Sequence, residues 1–121
     1  MAKLEDYRRY VQLVLEQYSQ LKPAYGDIER QLLFDPIRDH YQLVAVGWQQ
    51  QQQRVYSCIV HVDIKDGQIW IQHDSTESGV ANDFVAHGAP KEDLVLAFHA
   101  PYKRPSTGFG VGKDQTGQRA A

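Results

Sequence analysis

Cysteine is nearly absent: Cys58 is the only one among 121 residues. One thiol closes no intramolecular disulfide, and no CxxC pair or Cys/His zinc spacing occurs. Long apolar runs are absent as well, and nothing approaches the roughly 18 consecutive apolar residues of a membrane-spanning helix. The opening MAKLEDYRRY is charged and carries no apolar signal region, so the expected compartment is the cytoplasm. Nor is there an excess of positive charge. Thirteen Lys and Arg against fifteen Asp and Glu leave a net charge of −2. The chain as a whole therefore has no pull toward nucleic acid, and any such contact must come from a local patch. No GxSxG, HExxH, phosphate-binding glycine loop or paired-carboxylate motif is present.

What is there is a globular composition, 42% hydrophobic and 23% charged. The length suits one domain, burying roughly two-thirds of the unfolded chain's surface around one core. Residues 1–112 are expected to form that domain. Residues 113–121 are expected to be a disordered tail.

Arg38–Asp74 organises the chain and predicts three consecutive antiparallel strands. The first runs from His40 to Trp48, with Tyr41, Leu43 and Ala45 on one face and Val44, Val46 and Trp48 on the other. The run Gln49–Gln53 fills the turn. The next strand, Arg54–Ile64, alternates Tyr56, Cys58, Val60, Val62 and Ile64, which reads as a core face with Cys58 as a small buried residue. Asp66-Gly67 then sets a two-residue hairpin. The resulting register pairs Lys65 with Gln68, Ile64 with Ile69, Asp63 with Trp70, Val62 with Ile71, His61 with Gln72 and Val60 with His73. It places Asp74 opposite Ile59.

The flanks supply the rest. Leu4, Tyr7, Val11, Val14, Tyr18 and Leu21, widened by Leu15, form the stripe of a helix over residues 3–21, stopped by Pro23. Gly26-Asp27 reads as a turn, and Ile28–Phe34 as an edge strand ended by Asp35-Pro36. Ser75–Ser78 offers caps for a short helix carrying Val80, Phe84 and Val85, with Gly88 at its end. Pro90-Lys91-Glu92-Asp93 reads as a single turn, and Leu94–Phe98 as a buried strand. Pro101 and Pro105 argue against regular structure beyond, leaving an extended arm that packs through Tyr102 and Phe109. The fold class is α+β: an antiparallel sheet of four or five strands with one long N-terminal helix and one short helix.

Chemistry is sparse in this framework. No catalytic or cofactor-binding residue is assigned. His61 and Asp63 share a strand face about 7 Å apart, and with Asp74 they are the nearest approach to a metal-ligand set. His73, expected on the core face, and His40, beside Asp39, read as structural. Tyr102, Lys103 and Arg104 form a basic aromatic cluster able to meet phosphate. Both sheet faces are apolar, and one long helix covers one of them. Tyr41, Leu43, Ala45, Ile59 and Trp70 are therefore candidates for a dimer or partner surface.

Three runs, FDPIRDHYQLVAVGW, IVHVDIKDGQIWIQHDSTE and GAPKEDLVLAFHAPYKRPSTGFGVG, together resemble the XisI family, controlling factors for excision of the fdxN DNA element. LEDYRRYVQLVLEQY and KPAYGDIERQ fit as well, so the resemblance spans residue 3 to about residue 112. The glutamine run, the SGVAND segment and the tail after Gly112 depart from it. The resemblance implies a non-enzymatic accessory role in programmed DNA excision during heterocyst differentiation. There it would assist a separate site-specific recombinase beside a nuclease-like XisH-type partner; a homodimer is the separate expectation drawn from the two-sided apolar sheet. It brings no catalytic residues. Two alternatives stand beside it: a metal-dependent nuclease-like enzyme using His61, Asp63 and Asp74, and a direct DNA-binding module.

Overall fold

The computed structural model describes residues 2–21, 27–50 and 52–112. The expected turn at Gly26, the helix stop at Pro23 and the tail at 113–121 lie outside them. The elements are α1 (Ala2–Ser19), β1 (Asp27–Asp35), β2 (His40–Gln49), β3 (Gln53–Lys65), β4 (Gln68–Asp74), α2 (Val80–His87) and β5 (Leu94–Leu96). A 3-10 turn at Lys91–Asp93 precedes β5, and a 3-10 helix, Pro101–Thr107, follows it. The five strands pair in chain order. β1 to β4 form an antiparallel meander, whereas β5 runs parallel to β4. The strand expected over Leu94–Phe98 ends at Leu96, with Leu94 and Val95 buried and Phe98 exposed; the crossover through α2 brings the chain back parallel. No helix of the described residues is long and apolar enough to cross a membrane.

The stripe on α1 does what its spacing predicts. Tyr7, Val11, Val14 and Leu15 are buried against Leu43, Val60, Val62, Ile69 and Ile71 of the sheet, joined by Val80 and Phe84 of α2. Leu21 lies past the helix end and is exposed. Polar tips tie the layers together. Tyr7 donates its hydroxyl to Asp93, and Tyr18 donates to Asp83 at 2.6 Å. Burial, then the Asp93 hydrogen bond, raises the Tyr7 pKa.

Two β-bulges decide which side chains share a face. In the β2–β3 ladder the register shifts between Leu43 and Val44, because β3 carries one extra residue, Ile59. A bulge lets two residues of one strand oppose one of its partner, and so reverses the alternation beyond it. Val60, Val62 and Ile64 face the helices with Tyr41 and Leu43. Tyr56 and Cys58, expected on that same face, lie on the other. Tyr56 is 74% exposed. Cys58 is half-buried beside Gln42 and donates its thiol to the Val60 carbonyl at 3.4 Å; burial pushes its pKa up.

The β3–β4 hairpin keeps the predicted register through Lys65–Gln68, Ile64–Ile69, Asp63–Trp70 and Val62–Ile71, then slips. Gln72 is the extra residue, so His61 pairs with His73, and Val60 with Asp74. His73 is exposed rather than on the core face. Asp74 swings to the helix side and holds the start of α2. Its Oδ2 accepts from the Val80 amide at 2.8 Å, and its Oδ1 from the Thr76 amide at 2.9 Å and hydroxyl at 2.5 Å. The cap position itself is Gly79, with φ of 86°; Asp74 takes the Val80 amide, and of the predicted Ser75–Ser78 cluster Thr76 contributes, its hydroxyl oxygen accepting from the Gly79 amide at 3.2 Å. Asp74→Ala is expected to cost about 1 kcal/mol, the ordinary worth of an N-terminal cap. That corresponds to a drop of roughly 3–6 °C in a thermal melt. An unchanged melting temperature would show that α2 does not depend on this carboxylate.

The arm is ordered where two prolines argued otherwise. A 3-10 helix accepts proline's fixed φ, and Pro101 stands at its start, where no amide hydrogen is needed. Arg104, 5% exposed, pins it. Its guanidinium donates to the carbonyls of His99 (3.1 Å), Ala97 (3.3 Å) and Val111 (3.3 Å). Gly110 then bridges to Val95 in parallel, its amide bonding Leu94 at 2.7 Å. A Cβ there would stand 2.3 Å from the Glu92 carbonyl oxygen, so only glycine fits. Phe109 packs on the core as expected, while Tyr102 stays exposed.

Candidate functional site: the open face of the sheet

With α1 and α2 on one face, the other is divided. Its β4–β5 end lies under the arm. Arg104 sits 5.5 Å and Lys65 4.3 Å from the Trp70 ring centre, and a Cβ on Gly112 would stand 2.3 Å from the ring. The β1–β2–β3 end is open. Strand alternation and cross-strand pairing place Leu33, Gln42 and His61 in one row, Gln31, Val44 and Cys58 in the next, then Glu29, Val46 and Tyr56, and last Asp27, Trp48 and Arg54. Three large apolar side chains reach solvent here: Leu33 (48%), Trp48 (47%) and Tyr56 (74%). Arg54 lies 5.3 Å from the Trp48 ring centre.

This corrects the expected partner surface. Tyr41 and Leu43 are fully buried beneath the helices, Ala45 is buried, and Trp70 is buried beneath the arm. Ile59 packs against the helix-side core and lines a groove with Tyr18 and Leu21. For Tyr41, Leu43 and Ala45 the bulge at Ile59 is the cause, and for Trp70 the arm. The bulge carries Val60 onto the side of Tyr41 and Leu43, and leaves the residues before it on the far side. The hydrophobic period alone gave no sign of it.

The basic aromatic cluster is split in the same way. Tyr102 and Lys103 are exposed, and the lysine ammonium lies 5.9 Å from the tyrosine ring centre. Arg104 is turned inward, its donors directed at three carbonyls of its own chain, so it is a structural pin and not a phosphate contact.

At the open face's β1–β2 turn, ionisable groups converge. His40 and Asp63 are direct cross-strand partners, and His61 precedes Asp63 by two on the same strand. Asp63 Oδ1 meets His40 Nδ1 at 2.8 Å and His61 Nε2 at 3.0 Å, while its Oδ2 accepts from Gln72 Nε2 at 3.2 Å. Asp74, the third member expected from the sequence, is committed to α2 on the other side. His40 takes its place. The register shift at Ile59 brings His40 opposite Asp63; without it His40 would face Val62. The only sequence signal for His40 was its place at the start of a predicted strand.

Asp39, one residue earlier, points the opposite way. It accepts from Arg8 Nε at 2.8 Å, from the second Arg8 nitrogen at 3.0 Å, and from the Tyr41 hydroxyl at 2.8 Å. The Arg8 hydrogen bond holds the Asp39 carboxyl below its usual range. Burial, aided by Asp39, pushes the Tyr41 hydroxyl up to about 12. This cluster locks the turn to α1 and so fixes where His40 begins β2.

Fold and face together define a small α+β domain, with helices on one side of a five-stranded sheet and an exposed mixed surface on part of the other. The chain belongs to the XisI family, described as XisI protein, whose family model matches residues 1–111. It is similar to the crystal structure of a XisI-like protein from Anabaena variabilis ATCC 29413. That likeness has 43% identity and a TM-score of 0.83 over 90% of this chain and 99% of that one. It is also similar to the fdxN element excision controlling factor XisI from the same organism, with 32% identity and a TM-score of 0.79 over 91% and 99% of the two chains. No curated protein matches it.

Proposed function

We propose that this chain is a controlling factor for excision of a DNA element, acting without catalysis of its own through contacts with other proteins. The observation that carries this reading is the likeness to the fdxN element excision controlling factor, at 32% identity over 99% of that chain. An XisH-type protein is the partner proposed, with a homodimer as the form that binds it. Leu33, Trp48 and Tyr56 are the surface proposed in place of the buried Tyr41, Leu43 and Trp70. Aromatic side chains on an exposed face of mixed polarity are the usual anchors of such contacts. Direct DNA contact through the arm is less favoured, because Arg104, the side chain best shaped to grip phosphate, is spent internally.

Co-purification with the XisH-type partner tests this. The wild-type chain is expected to co-elute with it, and the double variant Trp48→Asp, Tyr56→Asp to elute alone while keeping its far-ultraviolet dichroism. No co-elution of the wild type overturns the partner. Co-elution that survives the double substitution overturns the surface.

A further inference from the structure

We propose that His40, His61 and Asp63 form a binding site for a borderline divalent transition metal such as Zn²⁺. One ligand atom from each lies within 4.8 Å of the others. All three project from the paired strands β2 and β3, whose ladder sets the backbone before any ion arrives. In a tetrahedral zinc site, with bonds of about 2.0–2.2 Å, ligand atoms stand roughly 3.3–3.5 Å apart. The two His–Asp separations are 2.8 and 3.0 Å, so an ion enters by widening each by about half an ångström. His40 is more than half exposed, which leaves its ring free to turn.

The donor set selects the metal class. Two imidazole nitrogens and one carboxylate oxygen suit Zn²⁺, Co²⁺ or Ni²⁺, whereas Mg²⁺ and Ca²⁺ take oxygen cages. Gln72 bonds the carboxylate oxygen that the histidines leave alone, which steadies the group and keeps Oδ1 for the ion. Three protein ligands leave one position directed at solvent, open to water or to a side chain brought by another molecule. The site stands whether or not the neighbouring apolar residues bind a partner.

The test is isothermal titration of the tag-free, chelator-treated chain with ZnCl₂, repeated with CoCl₂ while following visible absorption. One equivalent is expected to bind with a dissociation constant well below about 100 µM. His61→Ala and Asp63→Ala are each expected to weaken it at least as much as the roughly 10–100-fold lost with an outer partner. His73→Ala, on the same side of the sheet but outside the cluster, should leave binding unchanged. MgCl₂ should give no heat of binding. No saturable Zn²⁺ binding, or equal binding by folded His61 and Asp63 variants, overturns the proposal. Should those variants fail to fold, histidine ring resonances of the unmodified chain decide. His40 and His61 are expected to shift with Zn²⁺ while His73, His87 and His99 do not, and the reverse pattern overturns the site.

Discussion

Arg104→Ala is expected to lower the unfolding free energy by roughly 3 kcal/mol and to release the arm from Pro101 onward. Hydrogen bonds to a charged group contribute about 1.5–3 kcal/mol each, but those that share one guanidinium fork do not add. Three carbonyls lose their donor together, and the cover over Trp70 loosens. Arg104→Lys keeps the charge, but a compact ammonium cannot span carbonyls arranged for a planar fork, so it should recover less than half of the loss. Urea denaturation gives the size of the effect. Hydrogen exchange at the Gly110 amide, bonded to Leu94 at 2.7 Å, reports whether the arm has lifted. A variant as stable as the wild type, with Gly110 still protected, would show that something else holds the arm. The same variant separates two roles for the cluster at 102–104: a phosphate contact would alter DNA affinity at unchanged stability.

Trp70→Ala should cost more, about 3–5 kcal/mol, the range for removing a large buried aromatic side chain. The indole is 1% exposed. It donates its Nε1 hydrogen to the Lys65 carbonyl at 3.2 Å and touches elements on both sides: β3 and the arm. Trp70→Phe retains much of the apolar area and should lose only part of that. Because Trp70 and Arg104 pack together, the double variant should cost less than the two single changes summed, with a coupling of about 0.5–3 kcal/mol. Fluorescence offers an independent readout. In a Trp48→Phe background, emission from the remaining indole should shift to the red when Arg104 is removed. Strict additivity, with no spectral change, would mean that the arm does not seal the ring.

Much of this fold was legible because local chemistry specified it. The stripe from Leu4 to Tyr18 made α1, and Asp66-Gly67 fixed four cross-strand pairs before Gln72 displaced the rest. The errors in which sheet face a residue occupies come chiefly from two register shifts. The period-two run from Tyr56 to Ile64 continues unbroken in sequence through a backbone that inserts an extra residue at Ile59. A bulge is a response to tertiary packing and leaves no mark on apolar alternation. That one shift put Tyr41 and Leu43 inside instead of outside, and brought His40 to Asp63. The second shift sent Asp74 to α2. Arg104 illustrates a different limit: between Lys103 and Pro105 nothing distinguishes an arginine that faces water from one that ties down its own chain.

The bridge between Gly110 and Val95 has a consequence for assembly. An unpaired strand margin is a template on which further strands can stack. At the β5 margin the arm takes up part of that hydrogen-bonding capacity itself, which leaves β1 as the margin of the sheet unpaired among the described residues. Units with two adhesive margins stack without limit into fibres, whereas units with one can join only back to back and then stop. By pairing with its own last strand at Val95, the chain withdraws part of one of the two margins on which such open-ended stacking depends.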